Sequence, residues 1–307
     1  MVVIAYLGPR GTYSEIAAIA CSQQLKAQGY DSELRPYPSI AQTLQAVAKQ
    51  EAHLAIAPVE NSIEGNVPMT LDSLWQLQGL DIQQAYVLPI THGLLSHRGE
   101  LSAIKTVYSH PQALAQCQEW LEQHLPGVEL IPTNSTTESI QYLQPDRPIA
   151  AISSQRAAKL YKVPVLAYPI NDRPDNCTRF WVVSSTDTDI RLNASSRSKT
   201  HTSIAFSLPN IPGVLVKPLE VFAHQGINLS RIESRPTKQS LFEYLFFIDI
   251  EVDAREPSIQ KTLQQLEEYT EVLKIFGSYT VTNISDNSKL PIGENCSLFP
   301  KLHRSLF

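Results

Sequence analysis

Two rhythms of apolar and polar positions alternate along the first 185 residues. The runs "VVIAYLG", "HLAIAPVEN", "AYVLPITHGLLS", "IKTVYS", "AAIS", "VPVLAYPI" and "RFWVV" read as strands. Between them lie stretches with helical spacing. One runs from Glu15 to Gln28 and is closed by Gly29. Another opens at Ser39, with Gln42 completing an S-x-x-Q capping box. A third, "PQALAQCQEWLEQHL", carries Pro111 in its first turn and reads as one helix. Such alternation predicts an α/β layer structure with a largely parallel sheet. Sheets of that kind bind ligands at the carboxyl ends of their strands.

Near "SSTDTDIRLNASSRSKTH" the composition shifts to Ser, Thr, Asp and Asn, which predicts a linker. Beyond it the order is strand "TSIAFSL", helix "GVLVKPLEVFAHQG", strands "INLSRIESRP" and "LFEYLFFIDIEV", helix "SIQKTLQQLEEY" and strand "VLKIFGSY". That is β-α-β-β-α-β, the split βαβ unit of small ferredoxin-like domains. The last residues, from about Asn283, show no strong period. Because the linker separates two rhythms, a chain ending near Arg197 is expected to keep whatever activity the first part has.

Composition narrows the function. A chain of 307 residues is long enough for two or three domains. A net charge of -5 argues against nucleic acid, whose binding rests on Lys and Arg against phosphate. No apolar run approaches the ~20 residues of a membrane span. "MVVIAYLGPRG" has no basic n-region and reads as a first strand rather than a signal peptide. The four cysteines, Cys21, Cys117, Cys177 and Cys296, are widely spaced and are expected to be free thiols in a reducing cytoplasm. Neither a metal-ligand spacing nor a phosphate or dinucleotide loop is present, so no cofactor and no metal are expected.

The polar motifs fall at the predicted strand ends. "GPRGTYSE" follows the first strand, "ENSIEGN" follows "LAIAPV", and "SHPQ" follows "KTVY". Each joins a strand to a helix start, whose amides favour an anion. Each also has a plain structural reading: Thr12 and Glu15 as a capping box, "ENSIEG" as a turn, Ser109 and His110 as caps before Pro111. "DNCTRF" differs, because it precedes its strand, "RFWVV". Arg179 lies beside Phe180 and Trp181, and a buried guanidinium needs an anionic partner. Asp175 or a ligand carboxylate would serve as that partner, and Arg179 either pairs with a substrate carboxylate or braces the strand from behind.

Together, "YLGPRGTYSE", "PVENSIEG", "SHPQALAQC" and "NCTRFWVV" resemble the signature stretches of prephenate dehydratases, in the same order. "GVLVKPLEVFAHQGINLSRIESRP" resembles the phenylalanine-binding ACT domain attached to them. The resemblance covers about Val2 to Thr282. It implies a bilobal catalytic region over 1–185, similar to a type II periplasmic-binding-protein fold. Lobe one would combine about 1–78 with 165–185, and lobe two would be about 79–164. A linker (186–200), a ferredoxin-like ACT domain (201–282) and a tail (283–307) would follow. The implied reaction converts prephenate to phenylpyruvate, CO2 and water. Thr178, in the TRF motif, would donate a proton to the departing hydroxyl, with Arg179 and Phe180 beside it. Thr12, Ser14, Glu60, Asn61, Ser62, Ser109 and Gln116 would bind substrate. L-Phenylalanine would bind at Gly213, Val214, Leu215, Asn228, Leu229 and the "ESRP" residues Glu233, Ser234, Arg235 and Pro236. The family implies a cytoplasmic homodimer or homotetramer. Two other readings stay open: arogenate as the substrate, or a non-catalytic amino-acid sensor.

Overall fold

The computed structural model describes residues 1–192, 200–238 and 243–285. Most of the predicted tail and part of the predicted linker lie outside them. The first lobe contains β1 (Val2–Leu7), α1 (Tyr13–Ala27), β2 (Ser32–Tyr37), α2 (Ile40–Ala48), β3 (Leu54–Asn61), β4 (Gly65–Asn66), α3 (Pro68–Gln76) and β5 (Leu80–Pro89). The second contains β6 (Gly93–Leu95), β7 (Thr106–Ser109), α4 (Pro111–Ala115), α5 (Gln118–His124), β8 (Glu129–Pro132), β9 (Ile149–Ser153), α6 (Gln155–Tyr161) and β10 (Val165–Ala167). The chain then returns to the first lobe as β11 (Cys177–Ser185). The C-terminal domain is β12 (Thr200–Ser207), α7 (Val216–His224), β13 (Leu229–Pro236), β14 (Tyr244–Ile250), α8 (Pro257–Glu267) and β15 (Val272–Asn283).

Local chemistry sets the helix starts. Thr12, Ser39 and Ser154 each accept the third amide of the helix they open, at 3.3, 3.2 and 3.0 Å. Pro68, Pro111 and Pro257 occupy first-turn positions, where a missing N–H costs nothing. The predicted helix after "SHPQ" is instead two short helices, broken at Gln116 and Cys117. Cys117 is fully buried and Gln116 turns toward the cleft, so the stretch serves two environments that one straight helix cannot reach.

The two lobes carry separate sheets. The second is β10-β6-β9-β7-β8. The first is part of a ten-stranded mixed sheet ordered β13-β14-β12-β15-β5-β11-β3-β1-β2, with β4 paired to β3. Sheet membership moves the predicted lobe boundary. β5 belongs to the first sheet and β10 to the second, so the crossovers fall near residues 90–92 and 168–176. The apolar character of β5 alone did not reveal which sheet it joins.

The C-terminal domain has the predicted β-α-β-β-α-β order, with its strands arranged β13-β14-β12-β15. It is not a separate bead on a linker. The end of β15, Thr280 to Asn283, pairs parallel with Gln84 to Val87 of β5. One apolar cluster also runs through both parts. Trp181, Val183, Leu80 and Ile82 pack with Ala205, Leu245, Phe247, Phe276 and Tyr279. The two parts therefore share a sheet and a core.

Cys21 and Cys117 are buried free thiols. Cys177 is disulfide-bonded, against the expectation of a free thiol, and Cys296 lies outside the described residues. Among the described residues no helix is long and apolar enough to cross a membrane.

Candidate active site

A cleft of about 920 Å³ opens between the lobes. Lobe one lines it with the ends of β1 and β3, the start of α1 and the start of β11. Lobe two adds His92, His110, Gln112, Gln116 and the loop Asn134 to Thr136. β11 runs antiparallel to β3, with Thr178 opposite Asn61. The start of β11 therefore lies beside the carboxyl end of β3. This is why a motif preceding its strand arrives at the same place as motifs that follow theirs.

Strand alternation divides the TRF motif between two faces. Thr178 and Phe180 line the cleft. Phe180 and Val182 pack toward α1, while Trp181 and Val183 pack toward the C-terminal domain. Arg179 goes with Trp181, away from the cleft. Its Nη2 donates to Asp249 Oδ2 at 2.7 Å and reaches Glu60 Oε2 at 2.9 Å. Of the two readings for Arg179, the geometry gives the brace.

A bulge in β3 re-aims the residues opposite. Arg179 pairs with Glu60 but Phe180 pairs with Pro58, leaving Val59 as the extra residue. Glu60 therefore joins Arg179 behind the sheet, and Asn61 joins Thr178 at the cleft. The family resemblance groups Glu60 with Asn61 at a single site, whereas the bulge sends Glu60 behind the sheet.

Asn61 is fixed at both ends of its amide. Its Oδ1 accepts the backbone N–H groups of Ile63 and Glu64, each at 3.0 Å. That orientation leaves Nδ2 to donate to Thr178 Oγ1 at 2.9 Å and to Asn176 Oδ1 at 2.8 Å. Thr178 Oγ1 is thus an acceptor from the protein, and its own proton is left for the cleft. Asn176 donates to Gln116 Oε1 at 2.9 Å, and Gln116 Nε2 donates to Glu64 at 3.2 Å. Gln116 is thereby tied to both β3's loop and the segment entering β11, across the two lobes.

His92 continues the chain. Its Nε2 lies 3.2 Å from Gln116 Oε1, and its Nδ1 lies 2.9 Å from the Tyr13 hydroxyl. Burial pushes its pKa down to about 4, against which the Gln116 contact works weakly. The ring is neutral at physiological pH and serves as a hydrogen-bonding group rather than a reservoir of protons. Tyr13, His92, Asn134 and Asn176 are not among the sequence-derived site residues; Glu64 is, because it clusters with Glu60 and Asn61 at one strand end in the sequence. Asn176 is the first residue of the quoted "NCTRFWVV", and Asn134 lies in the polar stretch "TNSTTES". Tyr13 and His92 gave no sequence signal beyond their place at element ends.

The remaining candidates divide in the same way. Ser14 lines the cleft and is nearly buried. Thr12 also lines it, but its hydroxyl bonds the carbonyls of Leu7 and Pro9 and caps α1. Glu15 completes the turn by accepting Gly11 N at 2.8 Å rather than the cap's own amide. Burial would raise its pKa, but Arg156, Gly11 N–H and Arg10 together hold it below the usual range. Ser62 accepts Cys177 N at 2.9 Å. Ser109 is fully buried and donates to Ile152 O at 2.7 Å, away from the cleft. Ser62 and Ser109 therefore act in the structure as backbone fasteners. None of the described residues lining the cleft is Lys or Arg. Among the described residues no group of three or more His, Cys, Asp or Glu is placed to hold a metal ion.

The candidate effector residues lie on the C-terminal domain. Gly213, in the turn before α7, has φ +76°, a conformation that favours glycine, and Val214 and Leu215 pack against the domain core. Asn228 O accepts Glu251 N, and Leu229 pairs with Ile250. On β13, Glu233 and Arg235 face lobe one while Ser234 and Pro236 are exposed. Glu233 accepts from Asn66 at 2.5 Å, and Arg235 forks onto Asp72 at 3.2 and 3.0 Å.

Residues 4–188 match the family model of prephenate dehydratase, and residues 202–268 match that of the ACT domain. The bifunctional chorismate mutase/prephenate dehydratase of Aquifex aeolicus is 39% identical over 276 residues, covering 90% of this chain and 73% of that protein. The prephenate dehydratase of Lactococcus lactis subsp. cremoris is 34% identical, covering 92% of this chain and 99% of that one. The crystal structure of Arthrobacter aurescens prephenate dehydratase in complex with L-Phe superposes with a TM-score of 0.79 at 36% identity, covering 91% and 90% of the two chains. The interlobe cleft, the return of β11 and the βαββαβ domain thus sit in a chain that belongs to the prephenate dehydratase family and carries an ACT domain.

Proposed function

We propose that this chain converts prephenate to phenylpyruvate in the interlobe cleft, with Thr178 as the proton donor. The observation that carries this reading is the Asn61–Thr178 hydrogen bond. Electrons of the bond to the ring carboxylate move into the ring as CO2 leaves. The C4–O bond breaks, and the Thr178 proton passes to the departing oxygen, giving water. A threonine hydroxyl is a weak acid, and its oxygen gains charge as the proton leaves. Asn61 Nδ2 points at that oxygen and favours the charged form, as a preorganised donor does. Phe180 holds the strand mouth against the apolar wall.

Prephenate is a dianion, yet its carboxylates meet neutral donors here. The candidates are the start of α1 with Ser14, the Asn134–Thr136 loop, and the Gln116 amide. Incubation with prephenate should give phenylpyruvate, read by its ultraviolet absorbance in base. Turnover of arogenate at an equal or higher kcat/KM would move the substrate assignment to the aminated relative. Absence of turnover of both would favour an amino-acid sensor.

L-Phenylalanine is proposed as an inhibitor bound to the C-terminal domain, supported by the ACT match and by the L-Phe complex of the Arthrobacter protein. Inhibition should weaken apparent substrate affinity by about 5–150-fold, the ordinary size of allosteric coupling. A cytoplasmic homodimer or homotetramer is proposed as well. β13 is the sheet's terminal strand, and Ile232 on it is exposed.

A further inference from the structure

Behind the TRF strand lies a cluster of charges that joins the two parts of the chain; Arg179, Arg231 and Asp249 are buried and Glu60 is part-exposed. Arg179 on β11 contacts Asp249 on β14 and Glu60 on β3. Arg231 on β13 forks onto the same Asp249, at 2.9 and 3.2 Å. Its third contact, Nη1 to Asn66 Oδ1 at 3.2 Å, reaches β4. Asn66 is the backbone partner of Glu60 in the β3–β4 hairpin, so the contacts are completed through the strand pairing rather than through a further side-chain bond. Asp249 is fully buried. Burial opposes its ionisation, but Arg231 and Arg179 hold its carboxyl well below the usual range. Ser203 donates to it at 2.6 Å, and both guanidiniums lie within 6 Å of the Trp181 ring centroid.

The cluster touches the chemistry and the effector strand together. Arg179 and Glu60 are the immediate neighbours of Thr178 and Asn61, on the opposite face of the same two strands. Arg231 lies two residues before Glu233, and both bond the Asn66 side chain. Asn66 itself lines the cleft. A shift of β13 relative to lobe one must therefore break a contact to Asn66 or carry the hairpin with it. Packed ion pairs of this kind have discrete arrangements rather than a continuum.

We propose that the Arg231–Asp249–Arg179–Glu60 cluster, completed by Asn66, transmits effector occupancy of the C-terminal domain to the cleft. This rests on the phenylalanine reading above. A second physical link exists and supplies the control. Asp72 on α3 binds Arg235 and Lys238 and does not line the cleft.

The test is Asp249→Asn in the full-length chain. Calorimetry should show phenylalanine binding within about threefold of the unaltered protein. Basal turnover should stay within about threefold, while inhibition at saturating phenylalanine drops to less than twofold. Inhibition of unchanged size in Asp249→Asn overturns the proposal, and its loss in Asp72→Asn alone would put the route through α3. Loss of phenylalanine binding in Asp249→Asn also overturns it, by making Asp249 part of the effector site. If Asp249→Asn does not fold, Arg231→Lys keeps the charge and removes the fork that spans Asp249 and Asn66, with the same outcomes expected. An unaltered chain that neither binds nor responds to phenylalanine would overturn the effector reading and this route together. One that binds and responds, with an unaffected Asp249→Asn, overturns the route only.

Discussion

Thr178→Val is expected to lower kcat by at least ~10², about 2.7 kcal/mol in the barrier, with prephenate KM changed much less. Valine keeps the β-branched shape at a strand position with 9% exposure, so the fold should stand. What is lost is the hydroxyl that receives the Asn61 amide. Without it, hydroxide must leave unprotonated or take a proton from cleft water. Thr178→Ser keeps the oxygen and should retain part of the rate. Asn61→Ala should fall between the two, since it leaves the donor but removes the group that orients and acidifies it. Steady-state rates from phenylpyruvate formation settle the matter. Turnover of Thr178→Val near the unaltered rate would sink the assignment and leave leaving-group protonation to solvent. Arg179 gives the contrast. It points at Asp249, so Arg179→Lys should act on stability and on the response to phenylalanine rather than on KM.

The order of strands and helices was legible because apolar spacing reports which faces are buried, and caps such as Thr12 and Ser39 mark helix starts. The family motifs located the cleft. Three features had no local signal. A β-bulge at Pro58 and Val59 decides that Asn61, not Glu60, meets Thr178, and one extra residue in a strand leaves the composition unchanged. Alternation along "TRF" does predict two faces, but not which one holds substrate. Ser109 and Ser62 illustrate the third. A serine after a strand reads the same whether its hydroxyl meets a ligand or a backbone carbonyl, and here Ile152 O and Cys177 N take them. The linker is silent on the junction for a related reason. Its composition reports solvation along its own length and says nothing about β15 reaching back to β5.

That pairing sets the second large effect. A chain ending at Leu192 is expected to lose at least about 5 kcal/mol of stability in its catalytic region. Removal of the C-terminal domain exposes one edge of β5 and uncovers the face of Trp181, Val183 and Ile82 that packs on Leu245, Phe247, Phe276 and Tyr279. Side chains of this size contribute ~1.5–3 kcal/mol each when fully buried, so uncovering a few in part reaches that sum. The charges add little. Arg179 would lose Asp249 but gain water and keep Glu60, so no guanidinium is stranded in an apolar interior. For a region of this size 1 kcal/mol corresponds to about 2–4 °C, so the midpoint should fall by roughly 10–20 °C. The cleft contacts of Thr178 remain, so turnover measured at low temperature should survive while its half-life on warming collapses. Gly277→Val tests the same junction in the full chain. Its φ is +123°, and an added Cβ would stand 2.3 Å from Asp81 Oδ1 and 2.8 Å from Ile82 O on β5. The carboxylate can swing aside but the backbone carbonyl cannot, so the strands must part there. Differential scanning calorimetry of both variants, with kcat followed after timed heating, reads the effect. A truncated chain that melts within about 3 °C of the full protein would show that the shared sheet and core carry little of the catalytic region's stability.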